Sequence, residues 1–363
     1  MTPIIQLLGK YFEVIDLILL NKNIKKIHKE NKKKIIFTVG NTRKINNNKS
    51  YFTPIRNFRS YIVWGVNVYS EKEAVDCVKV VDKYSDYIFV DCEKKISKAD
   101  SLFGYQANLE RRIKEKIKNA KVFLYKGNDI TVDAADNFLS NYFKNDLRGV
   151  GGKIISILGA GNIGSKLALK LVERGAKVII TRKNNYKLKI ITRALNFIKP
   201  QFTQERINGL LNNYKATKNS DVIFGCSNSK TPIITKSLVK NCKKLKIIID
   251  IGKGSISEEA IHYSEKKSIK VYRLDVTSTL LTMIDSQINY HKFFSKKTGR
   301  KKIDGHICVS GGELGKKGDL VVNDIYKPKN VYGVANGKGD FSKRFYNLSF
   351  DDFKKKFNLQ NIK

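Results

Sequence analysis

The stretch Lys153-Ile154-Ile155-Ser156-Ile157-Leu158-Gly159-Ala160-Gly161-Asn162-Ile163-Gly164 decides how the rest of this chain is read. An apolar run of strand length ends in a glycine turn. Next come Ile163, Leu167, Leu171 and Val172 at helical spacing, and then a second apolar run, Val178 to Ile180. Strand, glycine turn, helix and strand in that order are the setting in which a G-x-G-x-x-G turn binds a dinucleotide. Gly159 makes the tight turn, Gly161 lets a pyrophosphate approach the backbone, and Gly164 lets the helix pack on the strand. The helix N-terminus adds unpaired N–H groups and the positive end of its dipole.

The rhythm continues downstream. Apolar runs at 153–158, 177–181, 221–225, 246–250 and 270–274 alternate with helical segments. The expected fold class is α/β: a doubly wound parallel sheet of Rossmann type. Upstream, short runs at Ile35–Val39, Tyr61–Tyr69, Tyr87–Asp91 and Val122–Tyr125 alternate with helices and predict a smaller α/β domain. The expected division is an N-terminal helical arm at 1–33, an α/β substrate domain with its crossover helix at 34–145, and the cofactor domain at 146–297. A glycine-rich, β-like tail fills 298–363. In the arm, Ile4, Leu7, Leu8, Phe12, Ile15 and Leu19 recur at helical spacing and suit packing or an oligomer contact.

The second strand of the motif ends in Thr181-Arg182-Lys183. No acid stands there to take a ribose 2′-hydroxyl, whereas Arg182 can fork onto a 2′-phosphate and Lys183 adds charge. The expected cofactor is NADP, with NAD the alternative. The expected cofactor contacts are Gly159, Gly161, Asn162, Ile163, Gly164, Thr181, Arg182 and Lys183, with Cys226 and Ser227 at the end of the strand beside the nicotinamide ribose.

The segments Asp221 to Ser227, Thr231-Pro232-Ile233-Ile234-Thr235-Lys236 and Ile247 to Asp250, with Thr131-Val132-Asp133-Ala134-Ala135 on the entering helix, resemble the NADP-binding domain shared by shikimate dehydrogenases and glutamyl-tRNA reductases. The resemblance runs over roughly residues 130–265 and implies a Rossmann cofactor domain and NADP-dependent hydride chemistry. It is silent about the substrate. Glutamyl-tRNA reductases carry a Cys-Asn-Arg signature for their thioester nucleophile. No cysteine here precedes Asn-Arg, so the chain is not read as a true member of that group. Gly65-Val66-Asn67-Val68-Tyr69-Ser70-Glu71-Lys72 echoes the motif that precedes the catalytic lysine of shikimate dehydrogenases, one residue short and without its threonine. Asn128-Asp129 and Thr131-Val132-Asp133 partly match the motif of their aspartate.

Hydride transfer needs a positioned nicotinamide and a group that moves the accompanying proton. Lys72 with Asp129 or Asp133 is the expected catalytic pair. Asp91 and Glu93 end a strand where ligands collect and are candidates for a cationic group, Arg56 and Arg59 for a carboxylate. Lys253-Gly254, after the fourth strand, is a further candidate to reach the cleft, and His306 an alternative acid–base.

The expected function is an NADP-dependent oxidoreductase acting on a small polar metabolite, carbonyl, hydroxy or amino-acid-like. The alternative is a non-catalytic NADP(H)-binding regulatory protein. The chain has 363 residues and a formal net charge of +37, but the lysines are dispersed from Lys25 to Lys356 without a nucleic-acid signature. The charge is therefore read as compositional, and no specific nucleic-acid partner is expected. The five cysteines show no C-x-x-C spacing and the four histidines no ligand spacing, so neither disulfides nor a metal site is expected. A cytoplasmic, soluble protein without a membrane partner, and a homodimer as the candidate assembly, complete the expectation.

Overall fold

A computed structural model describes residues 16–42, 50–229 and 231–356, apart from the side chains of 295 and 296. The arm positions from Ile4 to Ile15 lie outside the described residues. The remainder of the arm is helix α1 (Leu17–Glu30), which Asp16 caps by accepting the Leu19 N–H. Its Leu20, Ile24 and Ile27 are buried in the core of the first lobe.

That lobe is built from β1 (Lys34–Asn41), β2 (Tyr51–Phe52), β3 (Arg56–Asn57), β4 (Tyr61–Val68), α2 (Glu71–Val81), β5 (Tyr87–Asp91), α3 (Leu109–Lys114) and β6 (Lys121–Tyr125). The strand order is β2-β4-β1-β5-β6, with β3 also on β4. The long strands are parallel; β2 and β3 run antiparallel to β4 and form a short flap on its edge. Two strands of two residues carry no periodicity, so the sequence does not announce the flap. Phe37, Val39, Trp64, Val66, Ile88 and Val90 fill the face packed on the helices.

Helix α4 (Gly127–Tyr142) crosses to the second lobe. It lies along α5 (Asn162–Glu173) and is held there by a ladder of ion pairs. Lys166 meets Asp129 at 2.5 Å, Lys170 meets Asp133 at 3.0 Å, and Arg174 forks onto Asp136 at 2.5 and 2.8 Å. Acids and bases recur every three or four residues, so each row stays on one face of its helix.

The second lobe contains β7 (Ile154–Leu158), α5, β8 (Lys177–Thr181), α6 (Asn185–Ile198), β9 (Ile207–Leu210), α7 (Asn213–Thr217), β10 (Val222–Gly225), α8 (Lys236–Asn241), β11 (Ile247–Asp250), α9 (Glu258–Lys266) and β12 (Lys270–Arg273). All its strand pairs are parallel, in the order β12-β11-β10-β7-β8-β9. This is the doubly wound α/β fold, with its crevice where the order reverses between β7 and β10. Strand β9 extends the sheet beyond the five apolar runs, because Ile207-Asn208-Gly209-Leu210 is not one of them. Helix α10 (Thr277–Lys297) comes next.

The chain divides into two compact units, the first reaching residue 280 and the second beginning at 281. In the second, β13 (Gly299–Ile303), β14 (His306–Ser310), β15 (Leu320–Val322), β16 (Asn330–Ala335) and β17 (Phe341–Ser349) form a sheet in chain order, antiparallel except for β14 with β15. With α11 (Phe350–Lys356) they bury Cys308, Leu320, Val322, Ile325, Val331, Phe350 and Phe353. The β-like tail is thus a sheet with its own core.

Candidate cofactor crevice and cleft

The glycine loop is locked from three sides. The N–H groups of Gly159 and Ala160 donate to the Thr181 carbonyl at 3.2 and 2.7 Å, tying the loop to the end of β8. Gly159 has φ +114°, and a Cβ there would lie 2.8 Å from the Cys226 carbonyl carbon, so only glycine fits against the end of β10. A Cβ on Gly164 would lie 2.3 Å from the Gly159 oxygen, which is what lets α5 start so close to β7. At Gly161 the opposite holds: no atom lies within 4 Å of where its Cβ would be. Gly161 also caps α5 without any side-chain hydrogen bond. Free space thus faces an uncapped helix N-terminus, the arrangement that accepts a pyrophosphate.

Arg182 comes after the buried Thr181 and turns back over the loop, its Nη1 donating to the Ala160 carbonyl. Lys183 is exposed beside it. On the far side of the crevice, Gly252 approaches Ser227 so closely that a Cβ would fall 2.2 Å from the Ser227 oxygen. Burial, with the charge of Asp250, pushes the Cys226 thiol up to about 12, so it is a neutral packing group at neutral pH. The structure therefore brings Gly159, Gly161, Asn162, Ile163, Gly164, Thr181, Arg182, Cys226 and Ser227 to one crevice, with Lys183 at its rim.

The loop after β11 carries a backbone-constrained cation, Lys253. The Asp250 carboxylate accepts the Gly254 N–H at 2.8 Å and the Ser255 hydroxyl at 2.6 Å, while the Ile251 and Gly252 N–H groups donate to the Gly225 carbonyl. Between these anchors Lys253 is held at φ 61°, a left-handed conformation that costs a lysine energy and is characteristic of functional loops. Its ammonium reaches the first lobe, where it donates to the Tyr51 hydroxyl and lies 4.6 Å from the centre of that ring. Asn67 Nδ2 donates to the same hydroxyl at 3.1 Å. The Asn67 carboxamide in turn lies over Gly40, with the Tyr125 hydroxyl alongside. Burial holds the Tyr125 phenol well above its ordinary range, so it stays protonated.

A second contact links the flap to the other lobe. Arg56 Nε on β3 donates to the Thr277 hydroxyl at 2.9 Å, and that hydroxyl donates to Asp275 at 2.6 Å.

Other candidates are engaged elsewhere. Asp91 and Glu93 hold the start of α4. Asp91 accepts from the Gly127 N–H at 3.4 Å and Glu93 from the Asn128 N–H at 2.8 Å, with Lys95 between them at 2.7 and 2.8 Å. Burial raises the Asp91 carboxyl despite the Lys95 charge. Asp129 and Asp133 belong to the ladder on α5, and the structure brings neither to Lys72, which is exposed in the first turn of α2. Arg59 is exposed. His306 belongs to the second unit, where it packs edge-on against Phe353. Among the described residues no cluster could hold a metal ion, and no helix is long and apolar enough to cross a membrane. Sequence reasoning misses Tyr51 altogether, since nothing in Tyr51-Phe52-Thr53-Pro54 signals a partner for a lysine two hundred residues away.

Residues 143–276 match the family Shikimate / quinate 5-dehydrogenase. This segment is a dehydrogenase-like Rossmann domain. The chain is 25% identical over 227 residues to the glutamyl-tRNA reductase of Methanococcus aeolicus, covering 56% of this chain and 55% of that protein. It is 28% identical over 119 residues to the glutamyl-tRNA reductase of Campylobacter jejuni strain RM1221, covering 33% of this chain and 25% of that one. The chain thus spans about half the length of the first relative and a quarter of the second. Among solved structures it is similar to a hetero-hexameric glutamate dehydrogenase from Thermus thermophilus, with 11% identity, TM-score 0.41, and coverage of 72% of this chain and 69% of that one. The domain is of the NAD(P)-dependent dehydrogenase kind.

Proposed function

We propose that this protein is an NADP-dependent oxidoreductase that moves a hydride to or from a small polar metabolite bound between the two lobes of the first unit. One observation carries the reading. The open crevice at Gly161 and the strained Lys253 belong to the carboxyl ends of one parallel sheet, where ligands of such sheets bind.

The cofactor fits the residues present: uncapped N–H groups of α5 for the pyrophosphate, and Arg182 with Lys183 for a 2′-phosphate. When bound, it supplies or takes the hydride. The proton that accompanies the hydride is assigned to Lys253 and Tyr51, the pair hydrogen-bonded in the cleft. Asn67 aligns the Tyr51 hydroxyl, and Asp250 fixes the lysine loop. This assignment replaces the pairing of Lys72 with Asp129 or Asp133, whose carboxylates are occupied on α5.

Fluorescence titration with NADPH and NADH, before and after Arg182→Ala, tests the cofactor. NADPH should bind more tightly, and Arg182→Ala should weaken it about tenfold or more while sparing NADH. Tighter binding of NADH overturns the NADP assignment. Tight NADPH binding with no turnover across a panel of carbonyl, hydroxy and amino acids favours the regulatory alternative.

A further inference from the structure

Several cations of the first unit are neutralised by carboxylates beside them. Lys95 is shared between Asp91 and Glu93, and Lys166, Lys170 and Arg174 are paired along the α4–α5 ladder. Arg56 is different. It is partly buried, yet among the described residues no carboxylate lies within ion-pair distance of it. Its hydrogen-bond partners are neutral: the Thr277 hydroxyl for Nε and, weakly at 3.4 Å, the Pro54 carbonyl for Nη1. Asp275 acts on it only at a distance, and desolvation lowers its affinity for its proton. A guanidinium carries donors on all three nitrogens in a planar fork, so much of this one is unused.

Its aim is set on both sides. In the register of β3 on β4, Arg56 stands opposite Val63, as Tyr51 stands opposite Asn67, so both occupy the same face of the sheet. Tyr125, beside Asn67, is within electrostatic reach of the guanidinium. On the other side, Thr277 is oriented by Asp275, which accepts from its hydroxyl and its N–H at 2.6 and 2.9 Å. That leaves the Thr277 oxygen to accept from Arg56 and fix the plane of the fork.

We propose that Arg56 is the specificity residue of the cleft and that it reads a carboxylate, so that the metabolite oxidised or reduced here is a carboxylic acid. The proposal rests on the oxidoreductase reading. A half-desolvated cation with no direct ion pair, whose acid in electrostatic reach is bridged to it by Thr277, gains from a ligand that brings a carboxylate of its own, and the fork matches the two oxygens. A phosphate dianion suits the place less well. It would need further donors, and at the start of α10, beside Arg56, Asp275 already accepts the Thr277 N–H and hydroxyl.

The full chain, saturated with NADPH, is titrated calorimetrically with pyruvate, 2-oxoglutarate and shikimate, with the methyl ester of each, and with inorganic phosphate. At least one acid should bind, and its ester about tenfold more weakly or worse. Arg56→Gln should weaken the acid by about 10- to 100-fold, Arg56→Lys less, and neither should move NADPH affinity by more than about twofold. Thr277→Val keeps the charge but releases its alignment, and should weaken the acid several-fold even where an Arg56 variant folds poorly. Equal binding of acid and ester, unchanged acid affinity in Arg56→Gln, competition by phosphate as strong as by the acids, or no acid binding at all would each overturn the proposal. Failure of the wild-type chain to bind NADPH is a different outcome, and removes the reading on which it rests.

Discussion

Lys253 and Tyr51 are two hundred residues apart in the chain, and they meet as an ammonium hydrogen-bonded to a phenol and lying 4.6 Å from the centre of its ring. The lysine comes from the loop after β11 and the tyrosine from the flap of the other lobe. Proton transfer by a positioned side chain contributes about 10²- to 10⁴-fold to rate. Lys253→Met and Tyr51→Phe should therefore each lower kcat by at least about a hundredfold with NADPH affinity unchanged. The double variant should be little worse than either single one, because the two act as a unit. Additive losses in steady-state kinetics would show that they act separately.

The backbone at Lys253 makes a second prediction about the same position. At φ 61° a glycine is at ease and an alanine is not. Lys253→Gly should be more stable than Lys253→Ala by about 1 kcal/mol, although both lose the same ammonium. Thermal melts of the two variants decide it: equal melting temperatures would mean that the loop relaxes out of the left-handed region.

Gly159 and Gly161 should separate folding from binding. A side chain at Gly159 meets the Cys226 backbone at 2.8 Å and a φ of +114°, so Gly159→Ala should destabilise the protein by more than about 2 kcal/mol. Gly161 has φ −91° and open space beyond it. Gly161→Val should leave the melting temperature within a degree or two and still weaken cofactor binding by about tenfold or more, by filling the approach to the helix N-terminus. A Gly161→Val protein that binds NADPH normally would mean that the phosphates take another path.

Asp82 is a stability switch in the first lobe. Its buried carboxylate accepts N–H groups of Lys118, Asn119 and Ala120 at 2.9 to 3.1 Å, and the Asn119 amide at 2.9 Å. Burial alone would raise its pKa, but these donors outweigh it and hold the carboxyl below its ordinary value. The contribution is therefore present above the unfolded pKa of about 3.9 and is lost as pH falls through the lower folded value. Asp82→Asn should cost about 1–3 kcal/mol at neutral pH in urea titrations, and the gap to wild type should narrow below about pH 4. A gap that stays constant to pH 2 would count against this account.

The cofactor half is legible in the sequence because its signals are local. The turn from Gly159 to Gly164, the apolar runs beside it and Arg182 lie within thirty residues, and each has a meaning independent of the rest of the chain. The cleft is legible only in pieces. Lys253 stands out by its place after a strand, but its partner sits on a strand too short to leave a periodic trace. Asp129 and Asp133, four residues apart, suggest chemistry through their partial match to the motif of the shikimate dehydrogenase aspartate. Set beside Lys166, Lys170 and Arg174, the same spacing describes two helices docked side by side. A resemblance confined to the cofactor domain carries no information about a substrate lobe, so the proposed acid–base pair rests on the Lys253–Tyr51 hydrogen bond.

The flap itself has a kinetic consequence. Tyr51 and Arg56 ride on one short antiparallel ribbon, and each touches the opposite lobe, at Lys253 and at Thr277. Any parting of the lobes severs both contacts in a single event. On the proposed function, admission of the metabolite and assembly of the proton-handling pair would be geared to the same movement.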